Sequence, residues 1–590
     1  MAFWFILSLL LSQNAPTGIL KTSELKPGMK GYGLTVFSGE TPVKFDVEVI
    51  SVMKRAMLDQ DLILVRCSHP ILEHAGVIAG MSGSPIYING KFAGGLGYGY
   101  AFAKDPIAML TPAEDIVNTT RRPVQNLDVW GRPVTQSADA WTQRVRNSIV
   151  AANNPLIRSQ GESMIRPLGV SLAVSGVSSA QFAELFPLLS HLGPAAPSGA
   201  GTDDGVARKY QPGGPVAIWL VSGDINVAAI GTVTYVEGDR VAVFSHPFLS
   251  MGEMRLPAGH ATIHTVIARA SNSMKLGTFT SPKGSLIKDE QATVVLDQAA
   301  EPGFLPVTVS VVAPGEKSKT YNFKVARHRL LSANLSASLV RVAMNRLAQN
   351  ATDLTFTVDH EFQMEGMAPI RFSDSFSSTQ GLNLSFPSAW GNWGNTSRGE
   401  IALQLLLNNP FTRLALSRVN VKVHVTTGLN QYQIKKVDVA SPLVLTDREF
   451  SVQVTLKPQM GPEIRKQVTM KLPKEFAGTR VTLEVSAGRD TPIDAAEPKD
   501  LPGLLDYIQK SMDAHTLVLS VHTPAPQLDM EGVLVSDVPL SVLDSLVRRG
   551  ISSYTKVDQT LFRTMIRFPE LLSGGAKCNL IVKSTVEEAE

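Results

Sequence analysis

Cysteine is nearly absent from this sequence: Cys67 and Cys578 are the only two among 590 residues. Two cysteines exclude a disulfide-stapled scaffold, and they exclude zinc or iron–sulfur sites that need several thiolates. Charge is also sparse, since 18% of the residues are charged against a usual value of about 25%. The formal net charge is only +3, and the basic residues are scattered. A chain without a basic stripe is not expected to bind nucleic acid.

Long apolar runs are missing too, apart from a short one at the N-terminus. Residues 2–11 form a run that is too short to cross about 30 Å of hydrocarbon as a helix, and a polar Ser-Gln-Asn follows it. That length matches the core of a signal peptide; no Lys or Arg precedes it, and a buried N-terminal strand is the alternative. We therefore expect a signal peptide at 1–15, an extracytoplasmic protein (periplasmic, cell envelope or secreted), and no integral membrane segment beyond it.

Turn-forming residues are plentiful, with 46 Gly and 36 Pro, and apolar residues make up 44% of the chain. Apolar residues alternate with polar ones in several stretches bounded by turns, and residues 62–65 have the pattern of a fully buried strand. The alternating stretches are 44–50, 419–425, 452–456 and 481–485. Helical periodicity is confined to short segments such as 330–348 and 501–512. The pattern predicts a mainly β chain with a few short helices.

The most informative stretch is Gly80-Met-Ser-Gly-Ser-Pro. A serine between glycines on a tight turn can expose its hydroxyl and let a substrate backbone approach closely. In such a turn the amides of Gly80 and Ser82 can converge as an oxyanion hole, which needs donors about 2.7–3.1 Å from the developing charge. An ordinary glycine-serine hairpin loop is the alternative interpretation.

A nucleophilic serine needs a base, and His246 has the most informative context of the eleven histidines. The apolar run Val241–Phe244 predicts a buried strand that breaks at His246-Pro247, where a rigid base can face a cleft. A hydrogen-bonded histidine without a chemical role is the alternative. His260 and His264 form H-x-x-x-H, but the second position lacks the glutamate of a metalloprotease and the segment has a strand pattern, so no metal site is expected.

These motifs resemble segments of one known family. Gly80-Met-Ser-Gly-Ser-Pro, with Ile88-Asn-Gly-Lys-x-x-Gly-Gly after it, resembles the nucleophile segment of the SpoIVB-type serine peptidase family. Residues 25–39 are similar to the opening of that family's domain. Gly231-Thr-Val-Thr and Phe244-Ser-His-Pro-Phe are similar to its glycine–histidine segment.

The resemblance implies an exported bacterial peptidase of the trypsin-like double β-barrel class that works without a cofactor, and the alternating strands beyond residue 350 predict β-sandwich-like domains after it. The serine precedes the histidine here, whereas the sporulation peptidase has the opposite order, so the half-domains would be permuted. The expected order is a signal peptide at 1–15, the nucleophile half at 20–135, a helical and linker insert at 136–205, the histidine half at 206–326, a helical connector at 327–350, a β-sandwich-like region at 351–495 and an α+β region at 496–590.

The resemblance also implies Ser82 as the nucleophile, His246 as the general base, and the amides of Gly80 and Ser82 as the oxyanion hole. The family's glycine before the histidine is Ser245 here, and its aspartate before the serine falls near His69, so the acid must come from elsewhere. We predict Asp289, which lies on the same expected half-barrel as His246 and could hold the imidazole. The alternatives are a serine–histidine dyad or one of Asp297, Asp239, Asp61 and Asp59.

The sequence therefore predicts an exported serine endopeptidase that cleaves protein or peptide substrates through an acyl-enzyme; self-cleavage is an open alternative. The alternative from another class is a secreted β-rich binding protein that kept the barrels and lost catalysis. An esterase of the α/β-hydrolase type does not fit, because its G-x-S-x-G motif needs a glycine where this chain has Ser84.

Overall fold

The computed structural model divides the chain into two compact units. One consists of the described residues through Pro306 together with 322–335, and the other of 307–321 and the described residues from Ser336 onward. The residues that the structure describes are 18–57, 60–100, 103, 105–125, 165–178, 181–183, 186, 189, 192–199, 206, 208–347, 353–378, 397–491, 493, 498–530, 533–535, 545 and 553–584. The predicted signal peptide at 1–15 lies outside them, as does most of the predicted insert at 136–205.

The first barrel, which lies in unit 1, has six strands and is closed, because β4 pairs with both β1 and β5. Alternate side chains of β2 are buried, among them Phe45, Val47 and Val49, so the period-two pattern of 44–50 places one face of this strand in the core. Around the barrel the strands are β1 (Lys30–Thr35), β2 (Val43–Met57), β3 (Gln60–Ser68), β6 (Ile107–Pro112), β5 (Lys91–Tyr100) and β4 (Pro85–Ile88). A short strand, β7 (Ile165–Pro167), adds to β5 outside the barrel.

The second barrel, also in unit 1, again has six strands. It is closed because the strand at Pro215–Gly223 pairs with the strand at Asn226–Glu237, the next one along the chain. Its strands in order around the barrel are β10 (Pro215–Gly223), β13 (Gly252–Ile267), β14 (Met274–Asp289), β15 (Val294–Asp297), β12 (Arg240–Val243) and β11 (Asn226–Glu237). Two short strands, β8 (Ser171–Ser175) and β9 (Ala195–Pro197), extend it from β11. The paired barrels confirm the predicted trypsin-like double β-barrel.

Unit 2 contains two sheets that share one apolar core, the arrangement of a β-sandwich. One sheet is β24 (Ile464–Lys471), β23 (Glu449–Pro458), β21 (Gln431–Val439) and β29 (Leu571–Ser573). The other is β22 (Leu443–Leu445), β30 (Gly575–Lys583), β25 (Arg480–Ala487), β26 (Thr516–Met530) and β27 (Val533–Val535), with β28 (Ser553–Arg567) on β26. Both sheets thus take strands from either side of residue 495, where the sequence predicted a boundary.

Further elements complete the two units. In unit 2, β18 (Leu354–Met364) lies between β19 (Ile370–Ser378) and β20 (Leu416–Thr427). The division between the units passes through β16 (Phe304–Val312), β17 (Lys319–Ala326) and one helix. The helices whose bounds lie within the described residues are α1 (Pro70–Ala75), α2 (Ala113–Arg121), α3 (Leu331–Leu347), α4 (Arg398–Leu407) and α5 (Leu501–Gln509), with 3-10 turns at Thr22–Glu24, Lys474–Phe476 and Gly488–Asp490. Among the described residues, none of the helices has the length and hydropathy of a membrane span.

The two barrels approach most closely where glycines of the first meet backbone of the second. A Cβ atom at Gly97 would lie 2.2 Å from the carbonyl oxygen of Ser245, and one at Gly83 would lie 2.1 Å from that of Thr232. Real Cβ atoms essentially never come within 3.0 Å of a non-bonded heavy atom elsewhere in the chain, so either substitution would force the barrels apart.

The Gly97→Ala variant should therefore lose stability, by about 3 kcal/mol, because a backbone oxygen cannot rotate away from the added methyl group. Thermal unfolding followed by near-UV circular dichroism measures the loss. Gly238→Ala is the control: no atom lies within 4 Å of the new Cβ, so only the positive φ of 58° at Gly238 opposes the substitution, at a cost of about 1–2 kcal/mol. Equal midpoints for the two variants would contradict the close approach.

Candidate active site

The turn before β4 holds Ser82 in an unusual state. The turn is closed by hydrogen bonds from Met81 N to Ile78 O and from Ser84 N to Met81 O, and Gly80 and Gly83 have φ angles of +94° and +95°. The Ser84 hydroxyl donates to Met81 O at 2.7 Å, so it is committed to the turn itself. The Ser82 hydroxyl is fully buried and has no hydrogen-bond partner among the described residues. Of the two serines, Ser82 therefore has the free oxygen.

His246 follows a strained turn. Strand β12 ends at Val243, and the next two residues, Phe244 and Ser245, have φ angles of 69° and 55°. Positive φ in a residue with a side chain costs about 1–3 kcal/mol and persists only where the surroundings enforce it. Here Thr111 Oγ1 donates to Ser245 O at 2.7 Å, and Thr234 Oγ1 lies 3.0 Å from Ser245 Oγ. The strand break predicted at His246-Pro247 is present, and it begins two residues earlier.

Backbone contacts place the serine turn against the histidine turn. Thr232 N donates to Ser82 O at 3.0 Å, and Phe244 N donates to Thr232 O at 3.3 Å. A Cβ atom at Gly83 would lie 2.6 Å from Phe244 N, so the turn after Ser82 packs directly on the turn before His246. The two segments that the sequence predicted to cooperate thus meet at the boundary of the barrels.

The surroundings of His246 fix its protonation. Its Nδ1 lies 2.7 Å from Pro247 O; because a carbonyl only accepts, Nδ1 carries the proton and Nε2 carries a lone pair. Burial lowers the pKa of His246 to about 4, so the ring is neutral at pH 7. Nε2 is buried without a partner among the described residues, so a Ser82–His246 hydrogen bond is not formed here. Such bonds are often long before substrate binds, and a neutral imidazole with a free Nε2 can act as a general base.

Asp289 lies at the end of β14 and contacts the loop that follows His246. One carboxylate oxygen accepts from Phe248 N at 2.7 Å, and the other accepts from Leu249 N at 2.6 Å and from Met251 N at 3.3 Å. Burial raises the pKa of Asp289, and these amides oppose the rise because they favour the carboxylate. Asp289 therefore holds the loop of His246, whereas the proton on His246 Nδ1 goes to Pro247 O.

The alternative acids occupy other positions. Asp61 pairs with Lys54 at 2.6 Å, and Asp297 lies 3.6 Å from Arg240. Asp59 lies outside the described residues. The Nδ1–H of His246 thus donates to a carbonyl, and the Asp289 carboxylate contacts the loop that follows His246.

The two predicted oxyanion-hole amides differ. The Ser82 N–H has no hydrogen-bond acceptor among the described residues. The Gly80 N–H instead donates to Gly169 O at 3.3 Å. One donor is therefore open, and the other is occupied by a carbonyl of this same chain.

Lys275 is a buried base beside the turn that sequence reasoning missed. It lies on β14, and its Nζ is 2.9 Å from Thr35 Oγ1 and 3.3 Å from Thr232 Oγ1. Thr232 Oγ1 in turn donates to Gly80 O at 2.8 Å, so Lys275 orients the Gly80 peptide through one threonine. Burial lowers the pKa of Lys275 to about 7. The only signal in the sequence is a lysine between apolar neighbours in a strand, which also occurs at ordinary surface positions.

The comparison with known families agrees with this geometry. Residues 11–107 match the family model described as SpoIVB peptidase S55. The matched part includes the serine turn and strands β1 to β5, and it confirms the family resemblance inferred from the serine motif. No curated protein and no solved structure matches the chain.

The role of Asp289 can be tested by Asp289→Asn. Both carboxylate oxygens accept amide hydrogens, so one of them would become an NH2 group facing a donor, at a cost of about 1.5–3 kcal/mol. We expect the thermal midpoint and the activity to fall together. A triad acid would instead lower turnover by about four powers of ten with little loss of stability. Asp61→Asn is the control, because exposed ion pairs contribute about 0–1 kcal/mol.

Lys275 should make stability depend on pH. Its folded-state pKa lies below the value of about 10.4 for an unfolded chain, so between pH 7 and 10 the unfolded chain binds more protons. Stability should therefore rise with pH in that window. Thermal midpoints at pH 7 and pH 9 for the wild type and Lys275→Met measure the effect, and the rise should shrink in the variant. Parallel pH dependence of the two proteins would show that Lys275 keeps an ordinary pKa.

Proposed function

We propose that this chain is a serine endopeptidase that acts on protein or peptide substrates outside the cytoplasm. The family match over the serine turn supports serine peptidase chemistry. The observation that carries the assignment of residues is the meeting of two turns, each with one buried, unpartnered atom: Ser82 Oγ and His246 Nε2. Buried polar atoms without partners are costly and uncommon, and a catalytic role is one explanation for them. Export is proposed from the N-terminal apolar run alone.

In the proposed reaction, Ser82 Oγ attacks the substrate carbonyl carbon while its proton passes to His246 Nε2. The Ser82 amide donates to the oxyanion of the tetrahedral intermediate. The C–N bond then breaks as the imidazolium returns the proton to the leaving amine, and the acyl group stays on Ser82. Water, deprotonated by His246, hydrolyses the ester and restores the free serine.

His246 needs a fixed orientation for these transfers, and the structure offers two sources of it. The Pro247 carbonyl holds the Nδ1–H, and Asp289 anchors the following loop through three backbone amides. We propose that Asp289 is a positioning residue that acts through this loop, and that Ser82 and His246 form the reacting pair.

A binding protein that lost catalysis is the second candidate. Two observations favour it: the Ser82–His246 hydrogen bond is not formed, and Gly169 O occupies the Gly80 amide. On this alternative the barrels serve as a scaffold and Ser82 is never acylated.

Covalent labelling by a fluorophosphonate probe separates the two candidates. The wild type should be labelled, and Ser82→Ala and His246→Ala should each abolish labelling, because a serine without its base is a poor nucleophile. Removing one member typically costs several powers of ten in rate, so the double variant should be no worse than either single one.

Ser84→Ala is the matched control, because Ser84 lies in the same turn and its hydroxyl donates a hydrogen bond to Met81 O. It should still be labelled. Labelling that survives Ser82→Ala and disappears in Ser84→Ala would reverse the assignment. A wild type that never reacts would favour the binding protein.

A further inference from the structure

Strand β7 occupies the edge of β5 immediately beyond the serine turn. The first half of β5 pairs with β4, and there Pro85 lies opposite Gly95. The second half pairs with β7, with Tyr98 opposite Pro167 and Gly99 opposite Arg166. Both partners run antiparallel to β5 on the same edge, and between them Leu96 of β5 exchanges hydrogen bonds with Gly83 and Ser84 of the serine turn. A polypeptide entering by β7 is therefore aimed at Ser82.

The backbone after β7 continues along this edge up to the serine turn. Leu168 N donates to Gly97 O at 3.0 Å, and Leu96 N donates to Ser84 O at 2.9 Å. One residue further, Gly169 O accepts from Gly80 N at 3.3 Å. A carbonyl on that amide stands where a peptidase places the carbonyl under attack.

The Leu168 side chain lies on Gly99. A Cβ atom at Gly99 would be 2.7 Å from Leu168 Cδ2, so the leucine fills the space left by the missing side chain, and it packs against the core of the first barrel. Arg166 is exposed, and Pro167, Leu168 and Gly169 are only half-buried. A cavity of about 280 Å³ stays open beside Arg166 and Leu168, with Tyr100 and Arg269 in its wall. The segment thus lies in a cleft rather than in a closed core.

We propose that Arg166–Gly169 is a resident occupant of the peptide-binding cleft, held as a substrate strand would be. The inference rests on the proposed function and adds two points to it. The resting enzyme is blocked by its own chain, because the occupant takes both the edge of β5 and the Gly80 amide. The substrates that displace it are extended peptides. They carry an aliphatic residue that is not branched at Cβ, such as leucine, in the place where Leu168 packs on Gly99.

The physical basis is strand addition. An extended peptide gains affinity from main-chain hydrogen bonds to an exposed sheet edge and specificity from pockets for alternate side chains. Here the edge is Gly97–Tyr100, and the one shaped contact is the glycine surface under Leu168. A substituent at that glycine would exclude the leucine and leave the edge itself intact.

The test uses the full chain with a charge placed on the occupant. Leu168→Asp should release the segment, because a carboxylate is not stable on the apolar surface. Fluorophosphonate labelling of Ser82 should then be at least tenfold faster than in the wild type. Leu561→Asp, which changes an exposed leucine of unit 2, is the control and should label at the wild-type rate. Leu168→Ala should give a smaller increase in the labelling rate. It is the substitute variant if Leu168→Asp does not fold.

A binding measurement makes the inference independent of catalysis. A fluorescein-labelled peptide with the sequence of residues 165–170 should bind the Ser82→Ala/Leu168→Asp protein, as measured by fluorescence anisotropy. The same peptide with Leu168→Asp should bind at least tenfold more weakly, and so should the original peptide to a protein that also carries Gly99→Val.

The outcomes separate the two claims. Peptide binding without labelling of any variant supports the occupied cleft and contradicts the peptidase. Labelling that is equally fast in the wild type and Leu168→Asp, with no binding of the peptide, overturns the occupant and leaves the peptidase standing. Binding that is indifferent to Gly99→Val overturns the specificity assigned to that surface.

Discussion

Backbone-to-backbone contact between the barrels is the constraint on which the candidate site depends. Glycines of the first barrel leave no room for a side chain where they face Thr232 and Ser245 of the second. The Thr232 N–H then reaches Ser82 O, which ties the serine turn to the neighbouring barrel at 3.0 Å. A bulkier residue at this seam would move the Ser82 turn away from the His246 turn, so the same contacts that stabilise the pair of barrels also set the geometry of the site.

Buried polar groups surround the site, and most of them form hydrogen bonds that hold the backbone in place. Asp289 ties down the loop after His246, Lys275 acts on the Gly80 peptide through Thr232, and Ser84 closes its own turn. Against this background of satisfied groups, the free atoms of Ser82 and His246 stand out. Fixed groups cost little reorganisation when charge develops, which is the electrostatic advantage of a preorganised site. The strained φ angles before His246 belong to the same arrangement.

The sequence predicted the double barrel because period-two patterns and glycine turns are local signals. It indicated the pair of Ser82 and His246 through the resemblance carried by motifs such as Gly80-Met-Ser-Gly-Ser-Pro. It could not predict the partners of Asp289, because whether a carboxylate meets an imidazole or a set of amides depends on angstrom-scale loop geometry. The burial of Lys275 could not be predicted for a similar reason: it follows from how the two barrels pack, and no residue spacing in the sequence indicates it.

The segments that meet at the candidate site are far apart along the chain. Ser82 is made first, the segment at Arg166–Gly169 next, and His246 and Asp289 last. A ribosome adds about 5–20 residues per second, so the stretch from Ser82 to His246 takes roughly 8 to 33 seconds to make. The strand on the edge of β5 is synthesised inside that interval. The segment that pairs with β5 therefore precedes the second barrel in the chain, and it is already part of the polypeptide when the Ser82 turn meets the His246 turn.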